Sequence, residues 1–128
     1  MSDIQISEKI KIEAVSSYVP EKSNFVTPLY FFSYTVKIKN DDVNDIKLLT
    51  RHWDILDANG NLHVVNGEGV IGEKPIIKSG QIYKYTSFCP LKTEFGSMKG
   101  FYTFKNNLGY KLQSFVPEFS LIVPNMVN

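Results

Sequence analysis

"GEGVIGEKPII", residues 67–77, is the stretch on which the fold turns. Its first six residues fit G-x-G-x-x-G, the turn that holds a pyrophosphate in dinucleotide-binding folds. That chemistry needs a helix straight after the third glycine, because the free N–H groups and dipole of a helix's first turn hold the phosphate. Here Gly72 is followed by Glu73, Lys74 and Pro75, and then by the β-branched pair Ile76-Ile77. Proline suits the first position of a short strand. No Gly-Lys-Ser/Thr follows, so the Walker pattern fails as well. The stretch reads as a shaped loop between strands, in which Gly67 and Gly69 supply positive φ or a bulge. A nest of backbone N–H groups that binds an anion without a helix is the alternative.

The flanks read the same way. Upstream, "IKLLTRHWDILD" (46–57) is a strand, Ala58-Asn59-Gly60 is a tight reversal, and "NLHVVN" (61–66) returns. Further back, "LYFFSYTVKIK" (29–39) puts Phe32, Tyr34, Val36 and Ile38 on one face, and "EKIKIEAV" puts Ile10, Ile12 and Ala14 on one side. Downstream, "IYKYTSFC" (82–89) is a strand, "PLKTEFGS" (90–97) a long loop, and "MKGFYTF" pairs with "YKLQSFV" through "NNLG". The closing "PEFSLIVP" is extended, with Phe119, Leu121 and Val123 on one face. No segment has the i, i+3, i+4, i+7 apolar period of a helix. Roughly seven to eight short strands at this spacing predict an all-β, immunoglobulin/fibronectin III-like antiparallel β-sandwich, with a closed barrel as the alternative.

The 128 residues suffice for one domain spanning 1–128. A net charge of +1 excludes a strong field for gathering nucleic acid or anionic membrane. The single cysteine, Cys89, allows no intrachain disulfide, and "MSDIQISEKI" has no signal-peptide layout, so a cytoplasmic location is expected.

Catalysis finds no support: Cys89 lies before Pro90 with no local activating signature, and no cofactor is expected. For a metal, His52 and Asp54 project from one strand face. A two-residue Asn59-Gly60 turn places position 63 opposite 56, which brings His63 to that face; a bulged turn shifts the register by one and scatters the set. Trp53 shares parity with Leu49 and Ile55 and faces the core. Arg51 has that parity too and lies opposite Glu68, where an ion pair would anchor the glycine loop.

"TRHWDILDANG" (50–60), "VNGEGVIGEKPII" (65–77), "YKYTSFCPLKTEFGSMKGFYTF" (83–104) and "FVPEFSLIVP" (115–124) together resemble the ApaG family over nearly the whole chain. Thr50 stands where serine is common, and Phe88-Cys89 where a small residue is usual. The resemblance implies a fibronectin III-like sandwich. It also implies tolerance of cobalt and magnesium efflux in bacterial members, protein binding in relatives attached to F-box proteins and to a DNA-polymerase-interacting protein, and a pyrophosphate-binding role for the glycine motif.

Strands that reverse at each turn place the 67–74 loop and the 90–97 loop at one end of the sandwich. Gly67, Glu68, Gly69, Val70, Ile71, Gly72, Glu73, Leu91 and Phe95 then form a patch with apolar content and a charged rim, as a modest protein-binding surface would. The expectation is a non-enzymatic module with an unidentified protein partner, no nucleic acid and no membrane, a homodimer being left open. Anion or nucleotide binding by loop 67–72 is the alternative.

Overall fold

Alternation at every second residue is carried through into the three-dimensional structure. In the computed structural model, which describes residues 3–24 and 26–124, Phe32, Tyr34, Val36 and Ile38 all turn inward and are buried. The strands are β1 (Ile4–Ile6), β2 (Ile10–Tyr18), β3 (Tyr30–Asn40), β4 (Ile46–Asp57), β5 (Leu62–Glu68), β6 (Ile76–Ile77), β7 (Ile82–Leu91), β8 (Phe95–Asn106) and β9 (Lys111–Ile122), with one 3-10 turn at Pro20–Lys22. One sheet has the order β1-β9-β8-β4-β5, with β6 also on β4, and the other is β2-β3-β7. The expected two-sheet sandwich is present, and β6 is the short strand expected at 75–77; the short β1 is an addition, and the expected loop 90–97 shrinks to 92–94, because β7 runs on to Leu91 and β8 begins at Phe95. Pairing is antiparallel except that β1 runs parallel to β9. No helix among the described residues is long and apolar enough to cross a membrane.

The core lies between the sheets and includes Trp53, Met98, Tyr102, Phe104, Leu112 and Leu121. Trp53 is 2% exposed, as its face assignment requires, but Leu49 does not share that burial. A bulge between Leu48 and Thr50 shifts the register. Ile46 and Leu48 point inward before it, and Trp53 points inward after it.

Two loops differ from expectation. The β4–β5 hairpin closes through three residues, with the Asp57 N–H bonded to the Asn61 carbonyl at 3.1 Å and Gly60 at φ 83°. Ile55 therefore opposes His63, and Arg51 opposes Gly67. The glycine loop, moreover, does not reverse the chain: β5 and β6 both run antiparallel to β4, so the chain leaves β4's edge, makes an excursion and rejoins it. Every later strand is thereby inverted relative to the simple up-and-down reading. The β7–β8 connection sits beside the β4–β5 hairpin, where Gly96 pairs with Asp57 and the Ala58 N–H donates to Thr93 Oγ1 at 3.1 Å.

Candidate functional site

The excursion at 69–75 is a miniature hairpin. Val70 and Glu73 exchange backbone hydrogen bonds of 2.8 and 3.0 Å, around Ile71 at φ 48° and Gly72 at φ 73°. Positive φ at both central residues defines a type I′ turn, for which Asn-Gly is the preferred pair. The root is fixed from β4: the Gly69 N–H donates to the Leu49 carbonyl at 2.8 Å, and the Leu48 N–H to the Pro75 carbonyl at 3.0 Å. A Cβ on Gly69, itself at φ 60°, would stand 2.1 Å from the Glu73 carbonyl oxygen, so only glycine lets the two arms meet.

Arg51 is the second fixing point. Its guanidinium lies flat beneath Gly67, where a Cβ would fall 2.5 Å from its central carbon. Its Nη1 donates to the carbonyls of Glu68 at 3.0 Å and Gly69 at 2.8 Å. The anticipated Arg51–Glu68 ion pair is replaced by these carbonyl bonds, because the one-residue register shift sets Arg51 against Gly67. The Glu68 carboxylate instead pairs with Lys74 Nζ at 3.1 Å.

The finger spans the side of the sandwich where β7 passes β4 and β6. Val70 is 1% exposed and belongs to the core. The Tyr83 hydroxyl of β7 bonds to Glu73; burial first, then that carboxylate's charge and hydrogen bond, raise the phenol's pKa. Of the six-residue glycine motif, Ile71 at the tip is the exposed apolar side chain. The N–H groups of Gly69, Val70 and Glu73 are spent inside the structure, which leaves no three-N–H nest for an anion.

Beside the finger the sheets part. A cleft of about 390 Å³ opens between β5 and β7, lined by Tyr34, Arg51, Trp53, Ile55, His63, Val65, Ser87, Phe88, Cys89, Pro90 and Met98. Tyr34 stacks edge-on to Trp53, with ring centroids 5.4 Å apart, and is hydrogen-bonded to Ser87. Cys89 is buried, which pushes its thiol pKa up to about 11. It is the protonated, weakly nucleophilic form at neutral pH, although His63 shares the cleft.

The metal set does not assemble. His52 lies on the outer face, stacked on Phe101 at 4.6 Å, with its ring nitrogens 2.6 Å from Asn66 Oδ1 and 3.0 Å from Asp54 Oδ1. His63 turns to the cleft side, 3.5 Å from the Asp57 carboxylate. The three-residue hairpin loop is the cause, since it moves His63 from opposite Leu56 to opposite Ile55. No group of three or more His, Cys, Asp or Glu suited to a metal occurs among the described residues.

Leu91 and Phe95 do not join the glycine loop. They sit at the hairpin end with Asp57, Leu91 buried and Phe95 exposed. The cleft itself was not anticipated, because its lining comes from five different strands.

The family model for the ApaG domain matches residues 20–106. The chain belongs to the ApaG family. It is 42% identical over 119 residues to Protein ApaG of Rhodopseudomonas palustris (strain TIE-1), covering 93% of this chain and 92% of that protein. It is 39% identical over 122 residues to Protein ApaG of Proteus mirabilis, covering 95% and 98%. The crystal structure of the ApaA protein from Bordetella pertussis superposes with a TM-score of 0.88 at 32% identity, covering 97% of this chain and all of that one. The ApaG segment contains both features described above: the whole finger and every residue lining the cleft fall within 20–106.

Proposed function

We infer that this ApaG chain is a non-enzymatic, cytoplasmic protein-binding module whose contact element is the finger tip at Ile71. The observation that carries this reading is a β-branched, apolar residue at positive φ with 62% of its surface exposed. A left-handed conformation costs such a residue about 1–2 kcal/mol. Exposure returns none of that by burial in the free protein, whereas asparagine would fit the turn at little cost. An exposed isoleucine held in a strained turn fits a contact that is completed by a partner. Val70 and Glu73 then serve as anchors, to the core and to Tyr83. A part in cobalt or magnesium tolerance would run through the partner, not through an ion on His52, Asp54 and His63.

Ile71→Asn tests the reading. It is expected to raise stability by about 1 kcal/mol in urea denaturation, by relief of the strained turn. In capture experiments from the native lysate it should lose the proteins retained by the parent. An unchanged set of captured proteins would remove the finger from consideration.

A further inference from the structure

We propose that the cleft between β5 and β7 binds a small amphiphilic carboxylate, an aromatic or branched aliphatic acid. The proposal does not depend on the finger's role. It rests on two residues of one apolar concavity, an aromatic wall and a cation that has no counter-charge.

The first is the indole of Trp53. The residue is 2% exposed, and its Nε1 has no hydrogen-bond partner among the described residues. The ring's orientation follows from its neighbours. A Cβ on Gly100 of β8 would lie 3.0 Å from Trp53 Cε3. The Cε3 edge therefore faces β8. Nε1 has essentially no accessible surface, so the indole serves the cleft as an apolar wall and not as a donor to a ligand.

The second is Arg51. Its guanidinium lines the cleft and is bonded to two backbone carbonyls, both through Nη1. No carboxylate pairs with it among the described residues. The cleft lining contains no Asp or Glu. A half-buried cation with no counter-charge, its Nε and Nη2 unspent, suits a planar carboxylate that accepts two parallel bonds.

The body of the ligand is set by the other walls. Tyr34, Ile55, Val65, Pro90 and Met98 are apolar or aromatic, and about 390 Å³ lies at the small end of ligand pockets. One guanidinium balances one negative charge, which favours a monocarboxylate over a phosphate dianion.

The chain's single tryptophan is Trp53, so its emission reports on the cleft alone. The full-length protein is titrated with 3-phenylpropionate and 4-methylvalerate, and with their neutral amides. The acids should give a saturable change in Trp53 emission, with the amides at least about tenfold weaker because one charge-assisted pair is lost. Val65→Phe, at the half-exposed wall, should block the cleft and abolish the response while the far-ultraviolet spectrum stays that of the parent. Arg51→Lys should weaken the acids about tenfold through loss of the bidentate geometry. Ile71→Asn should bind as the parent does, which keeps this proposal and the finger reading separable. The proposal is overturned by the absence of a saturable response to any acid, by equal binding of acids and amides, or by a response that survives Val65→Phe. A response confined to a peptide carboxylate, with none to the free acids, overturns it too.

Discussion

Where β2 passes β9 the two sheets are stitched together, and where β7 passes β5 they are held apart. On the first side, Ser114 Oγ donates to the Ile10 carbonyl and Ser16 Oγ to the Ser120 carbonyl, both at 2.6 Å, and Leu112, Ser114 and Val116 are buried. On the second side the finger closes the lower part through Val70 and the Tyr83–Glu73 bond, and the upper part remains a cleft. The difference teaches where this ApaG fold commits its stability. One flank is spent on holding the sheets together, and the other keeps a concavity, an uncompensated guanidinium and a strained turn. Those are the features by which a scaffold carries function at some cost in stability.

Trp53 stands where the two flanks meet. It packs beside Gly100 and, edge-on, against Tyr102 and Phe119, and it also lines the cleft. Trp53→Ala should cost about 3–5 kcal/mol, the range for removing a large aromatic from a core. A loss below about 1 kcal/mol in urea denaturation would show that the cleft runs through the molecule and that the contrast between the flanks is false.

The stitched flank is probed next. Ser114→Val keeps the volume near constant but leaves the buried Ile10 carbonyl without its serine donor. The expected loss is about 1–3 kcal/mol, with faster amide exchange in β2 and β9 than in the parent. If exchange rises instead in β5 and β7 while β2 stays protected, the hydroxyl is not what holds that flank.

Much of this was legible beforehand, and the failures share one cause. β2, β3 and β9 announce themselves by alternation, because every second residue meets the same core. The course of the chain after β5 does not. Two residues of β6 carry no readable period, and whether they run up or down is decided by backbone bonds to Leu48 and by the turn at Ile71-Gly72. That single reversal moved Leu91 and Phe95 to the far end. The same holds on a smaller scale at Leu49, where a bulge exchanges the faces of β4, and at Ala58-Asn59-Gly60, where one extra loop residue sends His63 to the cleft. The site is less legible than the fold because it depends on register. A cleft whose walls come from β3, β4, β5, β7 and β8 exists only once every register is set.

The smallest expected effect gives the finest comparison, one chemical change made on each flank. Valine to threonine preserves shape and adds a hydroxyl, so its cost reports how dry a site is. Val116, on the stitched flank, is 3% exposed; Val65, at the cleft wall, is 39% exposed. Val116→Thr should cost about 1–3 kcal/mol, since its hydroxyl would be buried away from water. Val65→Thr should stay within about 0.5 kcal/mol, because water already reaches that wall. Val65 also sits on β5, at the sheet's edge, where threonine is as good a strand former as valine. A cost at Val65 approaching that at Val116 would mean the cleft is closed to water in the free protein. The walls would then have to open for a carboxylate to enter, and binding would be slow and steeply temperature-dependent. A cost near zero keeps the cleft open and wetted, ready for a ligand that displaces loosely held water from an apolar wall while Arg51 takes its head group.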